Sequence, residues 1–273
     1  MGRVKIILPV LLLLLPFTKL FAAPDTTIQL KPVTTIPGSY TNFYIDNLGN
    51  TYLLNSNNQV KKLDDKYDSA GVFNDVRRYG DIYSQDVSNP LKIVLYYRDF
   101  NTILVLDRFL NTRNTIDLRK AGIQQAKAVA QSYDNNYWVF DELDNKIKKL
   151  DDNGTVLLQS ADFRVLFNEQ YNPTQIIDND GLLYLYDGEN GWLVFDYYGA
   201  LKQRVQLKGW MNVQVANKVL EGWDANGLYF ANPALLNVQQ AKTSIPLAGV
   251  IKLQKNGNKV YALTKQGLTI YSL

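Results

Sequence analysis

The sequence predicts an all-β chain folded as a six-bladed β-propeller of four-stranded antiparallel blades, on three observations. A short pattern recurs as Thr27-Ile28-Gln29-Leu30, Thr115-Ile116-Asp117-Leu118, Thr155-Val156-Leu157-Leu158, Arg204-Val205-Gln206-Leu207 and Ser244-Ile245-Pro246-Leu247, with Ala70-Gly71-Val72-Phe73 in the remaining slot. Its markers Ile28, Val72, Ile116, Val156, Val205 and Ile245 stand 44, 44, 40, 49 and 40 residues apart, and a period of roughly 40–45 with short strands is the mark of propeller blades. Within each period, clusters of Asp, Asn and Gly precede aromatic or β-branched runs, which read as hairpins. Finally, Leu268-Thr269-Ile270-Tyr271 reads as a third strand with no fourth behind it, and residues 27–30 read as a fourth strand with no third ahead of them. Paired, they close the ring and remove the free edges of an open sheet. A β-sandwich would share the turns but not the period.

The elements follow in order. Turns at residues 46–50, 134–136, 178–181, 224–227 and 256–258 lead into second strands at 51–54, 137–140, 182–186, 228–230 and 259–263. Third strands follow at 60–63, 147–150 and 193–195, ahead of Asp64-Asp65, Asp151-Asp152-Asn153-Gly154 and Asp196-Tyr197-Tyr198-Gly199. Blade two departs most, with strands expected at 82–85, 92–96 and 102–106 and Asn89-Pro90 as its first turn.

The run Asp46-Asn47-Leu48-Gly49-Asn50-Thr51-Tyr52 through Val60-Lys61-Lys62-Leu63-Asp64, and the run from Asp134 through Ile147-Lys148-Lys149-Leu150-Asp151-Asp152-Asn153-Gly154, carry a D-x-x-G-N-x-Y, then I-x-K-x-D-x-x-G cadence. In this the chain resembles NHL-repeat and TolB-like six-bladed propellers, over most of residues 23–273, with blades two and five matching poorly. The resemblance implies the fold and leaves function open, because such propellers serve as scaffolds, ligand binders, lactonases and lyases.

Charge and composition narrow the classes. The chain has 29 Lys+Arg against 26 Asp+Glu, but Arg3, Lys5 and Lys19 precede every acid, so from Asp25 onward the net charge is zero. Nucleic acid is therefore not an expected partner, since phosphate binding needs a surplus of cations. The chain has no His and no Cys, which excludes Ser-His and Cys-His nucleophile pairs, imidazole metal ligands, disulfides and zinc knuckles. Arg3 and Lys5 precede an apolar run at residues 6–17, and the small pair Ala22-Ala23 follows. This layout predicts a signal peptide over residues 1–22, and residues 23–273 as one propeller domain. The apolar run is shorter than the roughly 20 residues a bilayer demands, so no transmembrane span is expected after cleavage. The expected location is extracytoplasmic: periplasmic, or secreted.

On the face formed by the first-to-second and third-to-fourth strand turns, Asp46, Asp64, Asp65, Asp134, Asp151, Asp152, Asp178, Asp180, Asp196 and Asp224 would make an acidic rim. Tight turns need these residue types for their own backbone. A calcium-loop register over Asp178, Asp180 and Glu189 fails, because Leu182 and Leu183 stand where a ligand and a Gly belong. At the channel mouth the first strands would begin near Tyr40, Asp81, Lys127, Gln175, Lys218 and Val250. That set lacks the converging oxygens of a lactonase-like calcium site, and no His is available for a metal-dependent lyase. The arginine cluster and S-x-D-x-G-x-x-W boxes of a sialidase are missing as well. Carboxylate acid–base hydrolysis would need a partner for Asp81, drawn from Asp141, Glu142, Asp187 or Glu189. No cofactor and no metal are expected.

The loops of that face are longer than turns require, and they carry Arg77, Arg78, Tyr79, Arg119, Phe163, Arg164, Phe167, Tyr171 and Trp210, joined by Arg98 and Phe100. Arg and aromatic residues are enriched at interface cores, so these residues are the expected partner-binding set. The sequence thus points to a non-catalytic binding or scaffold propeller engaging an envelope protein, as a monomer or within a hetero-complex. The alternatives are a carboxylate-dependent or lactonase-like hydrolase, or a carbohydrate-binding propeller.

Overall fold

The computed structural model describes residues 26–74, 78–235 and 237–273. The proposed signal segment and Arg77 lie outside them. Six sheets form the blades, and each first strand lies beside the next around a closed ring. Blade one runs Tyr40–Ile45, Thr51–Asn55, Val60–Leu63 and Ser69–Phe73; blade two Ile82–Asn89, Lys92–Tyr97, Thr102–Asp107 and Thr112–Asp117. Blade three comprises Ala126–Gln131, Tyr137–Asp141, Lys146–Leu150 and Val156–Gln159; blade four Gln175–Asn179, Leu182–Asp187, Gly191–Asp196 and Leu201–Val205. Blade five comprises Met211–Ala216, Val219–Asp224, Gly227–Asn232 and Asn237–Thr243, and blade six Lys252–Asn256, Lys259–Thr264 and Gly267–Ser272.

The ring closes as expected from the two ends, but with a different segment. Lys31–Pro37 supplies the fourth strand of blade six, antiparallel to Gly267–Ser272, with Lys31 opposite Ser272 and Pro37 opposite Gly267. Thr27–Ile28 instead adds to the outer edge of blade five, parallel to Asn237–Thr243. The prolines at 32 and 37 disguise the closing strand in the sequence, yet an outermost strand tolerates proline because half of its amides need no ladder partner. Blade five also departs from expectation by one strand. Its first strand is Met211–Ala216 rather than one starting near Lys218, and residues 228–230 belong to its third strand. Asn217 and Lys218 form the tip of the first hairpin, both at positive φ (51° and 61°).

The core lies between blades. Six buried clusters fill the six blade interfaces, for example Phe163, Trp138, Phe140 and Phe195 between blades three and four, and Phe43, Leu53, Tyr261 and Leu268 between six and one. The recurring lysine of the third strand belongs to this packing. The Nζ of Lys62 lies over the Tyr52 ring at 5.4 Å, and that of Lys149 over the Trp138 ring at 4.8 Å.

First strands leave one edge without a strand partner, facing the channel, and buried backbone groups must be satisfied somehow. Carboxamides help to do it. Gln131 Nε2 donates to the Asp86 carbonyl (3.1 Å), Gln175 Nε2 to that of Val213 (2.9 Å), Gln214 Nε2 to that of Lys255 (2.9 Å) and Asn256 Nδ2 to that of Asp46 (3.2 Å). Each bond crosses from one blade to its neighbour.

The second-to-third strand turns come in two forms. Blades one to three place Asn58, Asn101 and Asn145 at φ 58°, 51° and 52°. Each side chain then reaches toward the next blade: Asn58 Oδ1 accepts from the Ile82 amide (3.1 Å), Asn101 Nδ2 donates to the Ile123 carbonyl (2.6 Å), and Asn145 Nδ2 to that of Tyr171 (2.9 Å). Blades four to six start the third strand on Gly191, Gly227 and Gly267, at φ 87°, 153° and 139°. There the outer strand passes so close that an added Cβ would sit 2.4, 2.4 and 2.3 Å from the carbonyl oxygens of Val205, Ala241 and Ile36.

Candidate functional site

The two faces of the ring differ in how their carboxylates are used. On the turn face, Asp64, Asp107, Asp151 and Asp196 each turn Oδ1 back onto the amides two and four residues ahead, as in Asp151 to Asn153 (2.9 Å) and Thr155 (2.8 Å). These backbone donors hold Asp151 below the usual carboxylate range, the Thr155 amide being the largest influence. Asp178 accepts from Ser132, Trp138 Nε1 (2.9 Å) and the Tyr197 hydroxyl. Asp224 leaves this rim altogether: it ends the second strand of blade five, on the opposite face. No cluster of three or more metal-ligating side chains occurs among the described residues.

The loop face gathers five of the expected partner-binding residues over blades two and three. The Arg78 guanidinium lies 5.3 Å from the centre of the Tyr79 ring, and Tyr79 packs on buried Tyr97 with centroids 5.3 Å apart. Arg98 pairs with Glu142 (3.4 Å) and covers the Tyr83 ring at 5.2 Å. Arg119 donates to the Asp99 carbonyl (3.0 Å), and the next residue, Phe100, is 50% exposed, with Gly80 of the preceding connection packed against the same turn.

The second group sits on the connection from blade three to blade four. Asp162 caps the short helix Phe163–Phe167, its carboxylate accepting from the Arg164 amide (2.9 Å) and holding the Arg164 guanidinium (2.6 Å). Phe163 and Tyr171 point inward and are buried, with Phe163 stacked on Phe195 at 5.5 Å. Phe167 is half-buried against Tyr171, and Arg164 stays exposed. Trp210 is also buried, stacked on Tyr229 at 5.4 Å, with its carbonyl accepting from the Tyr186 hydroxyl (2.9 Å). Phe163, Tyr171 and Trp210 thus seal blade interfaces, while Arg78, Arg98, Phe100, Arg119 and Arg164 present polar or aromatic surface.

Four of the five carboxylates weighed for hydrolysis are occupied by neighbours, Glu142 by Arg98 and Lys127. Asp81 accepts from Asn58 Nδ2 (2.5 Å), Asp141 pairs with Lys148 (2.7 Å), and Asp187 accepts from the Asn172 amide (2.8 Å).

The central channel encloses about 550 Å³, walled by residues of all six first strands, among them Asn42, Tyr44, Gln85, Asp86, Gln131, Gln214 and Lys252. The first-strand starts expected from the sequence put two cations, Lys127 and Lys218, at the channel mouth. Lys127 pairs with Glu142 (3.7 Å), and Lys218 lies at a hairpin tip. The lysine in the wall is Lys252, two residues beyond the expected start of its strand. Its position on a first strand was the available signal.

No family model and no curated protein matches the chain. Solved structures do resemble it. A virginiamycin B lyase from Staphylococcus aureus superposes with a TM-score of 0.60 at 11% identity, over 88% of this chain and 99% of the lyase. A streptogramin B lyase gives 0.59 at 15% identity, over 89% of this chain and 86% of that one. The Neurospora crassa Pan2 WD40 domain gives 0.58 at 11%, over 90% and 94%. At such identities the likeness is one of fold, and it joins enzymes to a WD40 domain.

Proposed function

We propose that this chain is an exported, non-catalytic propeller of the NHL-like or TolB-like kind, which binds an envelope protein through its loop face over blades two and three. The observation that carries the reading is exposed Phe100 on the turn that also bears Arg98, with Arg119 bonded to the Asp99 carbonyl of that turn and Gly80, two residues past exposed Arg78, passing against it, an aromatic on a cation-bearing loop surface of the kind enriched at protein interfaces. Export is supported by the charged, apolar and small-residue layout of residues 1–22. Among the described residues no helix is long and apolar enough to cross a membrane.

Catalysis is disfavoured by chemistry present on this chain. One structural neighbour is a virginiamycin B lyase described as catalytically inactive with one histidine replaced by alanine, so that enzyme depends on a histidine, and this sequence has none. Carboxylate chemistry would need two acids facing each other across a substrate, whereas Asp81, Asp141 and Asp187 are held by an amide, an ammonium and a backbone N–H.

A photo-crosslinking residue placed at Phe100, and separately at Tyr198 on the turn face (91% exposed), tests the assignment in producing cells. An adduct is expected from Phe100 and not from Tyr198. Arg78→Ala with Arg119→Ala should remove it while shifting stability by no more than about 0.5 kcal/mol. An adduct from Tyr198 alone, or one at Phe100 that survives the double replacement, overturns the site.

A further inference from the structure

We propose that Lys252 is a nucleophilic amine and that the central channel captures a small aldehyde or ketone through it as an imine. The channel volume of about 550 Å³ falls within the roughly 300–1,000 Å³ typical of small-molecule sites.

Buried lysines are ordinarily paired with an acid, and two of the four buried lysines among the described residues obey that rule. Lys148 holds Asp141 and Asp144, and Lys149 holds Asp134. Lys62 lacks an ion pair, but it donates to the Arg108 carbonyl (2.9 Å) and lies away from the channel. Lys252 is 8% exposed and lines the cavity, and no carboxylate of the described residues lies at ion-pair distance. Its Nζ donates to Asn42 Oδ1 (2.9 Å) and sits 3.7 Å from the centre of the Tyr44 ring. Desolvation lowers this amine to about 7, so a large share is the free base at neutral pH.

Two further groups point to a carbonyl ligand. Gln85 is 6% exposed and lines the same cavity, and neither its amide oxygen nor its amide nitrogen has a hydrogen-bond partner. A buried amide left so costs on the order of 1–3 kcal/mol, and an oxygenated ligand would satisfy it. Tyr44 supplies the proton. Burial pushes its phenol up to about 12, so it stays protonated; its oxygen accepts from Asn42 Nδ2 (3.2 Å), and it donates to no described side chain.

The chemistry balances without an oxidant or reductant. The Nζ lone pair forms the C–N bond, the carbonyl π pair moves to oxygen, and that oxygen takes up the proton shed by nitrogen. The resulting hydroxyl leaves as water with the Tyr44 proton while the nitrogen pair closes C=N. The iminium then returns its remaining N–H proton to the phenolate. One water is released per imine, and hydrolysis reverses the capture.

The test uses the intact protein with glycolaldehyde as probe and cyanoborohydride as the hydride donor that fixes any imine as a secondary amine, read lysine by lysine by peptide mass spectrometry. At pH 7 Lys252 should be labelled at least about tenfold faster than exposed Lys120 and Lys265, because an ordinary lysine amine with a pKa near 10.4 is almost wholly protonated there. Gln85→Leu should slow glycolaldehyde capture severalfold and leave propanal, which lacks the hydroxyl, unchanged. Tyr44→Phe should slow both. Labelling of Lys252 no faster than that of Lys120 overturns the proposal, and because that reading comes from the wild-type protein it does not depend on any variant folding.

Discussion

Blades one to three turn their second-to-third strand corner on an asparagine that reaches across to the next blade, whereas blades four to six turn it on a glycine that lets their own outer strand press inward. In the first half of the ring, one residue both makes the corner and bridges to the next blade. Asn101 is the fullest case: besides the Ile123 carbonyl, its Oδ1 accepts from the Ala126 amide and the Tyr96 hydroxyl (both 3.1 Å), fixing where blade three begins. In the second half, those duties fall to different groups. Glycine shapes the corner, while register comes from channel carboxamides such as Gln214, from Trp210, and from Asp187 with its hold on Asn172. The same backbone bend is reached by a polar bridge in one half and by close packing in the other.

The contrast breaks most visibly at the closure. Gly267→Val would put side-chain atoms inside the 2.3 Å gap to the Ile36 carbonyl and demand a φ that β-branched residues avoid. A loss of about 3 kcal/mol or more is expected, measured by urea unfolding. Asn101→Ala should cost about 2–3 kcal/mol by stranding buried partners. Asn101→Gly, which keeps the left-handed corner and removes only the bridge, separates the two roles. If the glycine variant is as stable as wild type, the bridge contributes nothing and the two halves are equivalent.

The smallest effect concerns acid. Burial raises the Asp187 carboxyl, and the Asn172, Asn190 and Glu189 donors outweigh it, leaving it below the usual range. A carboxylate depressed in the folded state adds stability above its unfolded value of about 3.9, and loses it as pH falls through the lower folded value. The protection of the Asn172 amide, its exchange rate relative to the intrinsic rate at each pH, should therefore fall below about pH 4, while that of the Ala126 amide, held by neutral Asn101, should not respond to that titration. Equal loss of protection at both sites would erase the distinction.

Much of the fold was legible because turn chemistry is local. Asp64 and Asp151 announce their turns by residue type, and the period of the outer strands registers the blades. Blade five departs from the expected register because Asn217 and Lys218 make a tight hairpin with no glycine to signal it, and Lys218 looks like an ordinary strand residue. The closing strand was displaced because Pro32 and Pro37 resemble a loop, and only its place at a sheet edge makes them acceptable. The candidate site was legible in part. Aromatic residues on a long loop give no sequence sign of whether they turn out, as Phe100 does, or fold inward, as Phe163 and Trp210 do. Lys252 carries no such local sign, because an unpaired lysine is defined by what surrounds it in space, and its neighbours Asn42 and Tyr44 lie some 210 positions away in the chain.

Closure joins Lys31 to Ser272, which gives the molecule an order of events as well as a shape. A chain made from its amino end offers five blades before the partner of Lys31–Pro37 exists, and those blades must wait with one interface open. Pairings between such distant segments form slowly, because the loop entropy falls due before the contact returns it. Gly267–Ser272 therefore acts as a latch: until it pairs with Lys31–Pro37 the ring can still be opened at that blade, and afterwards neither of the two strands can leave without releasing the other.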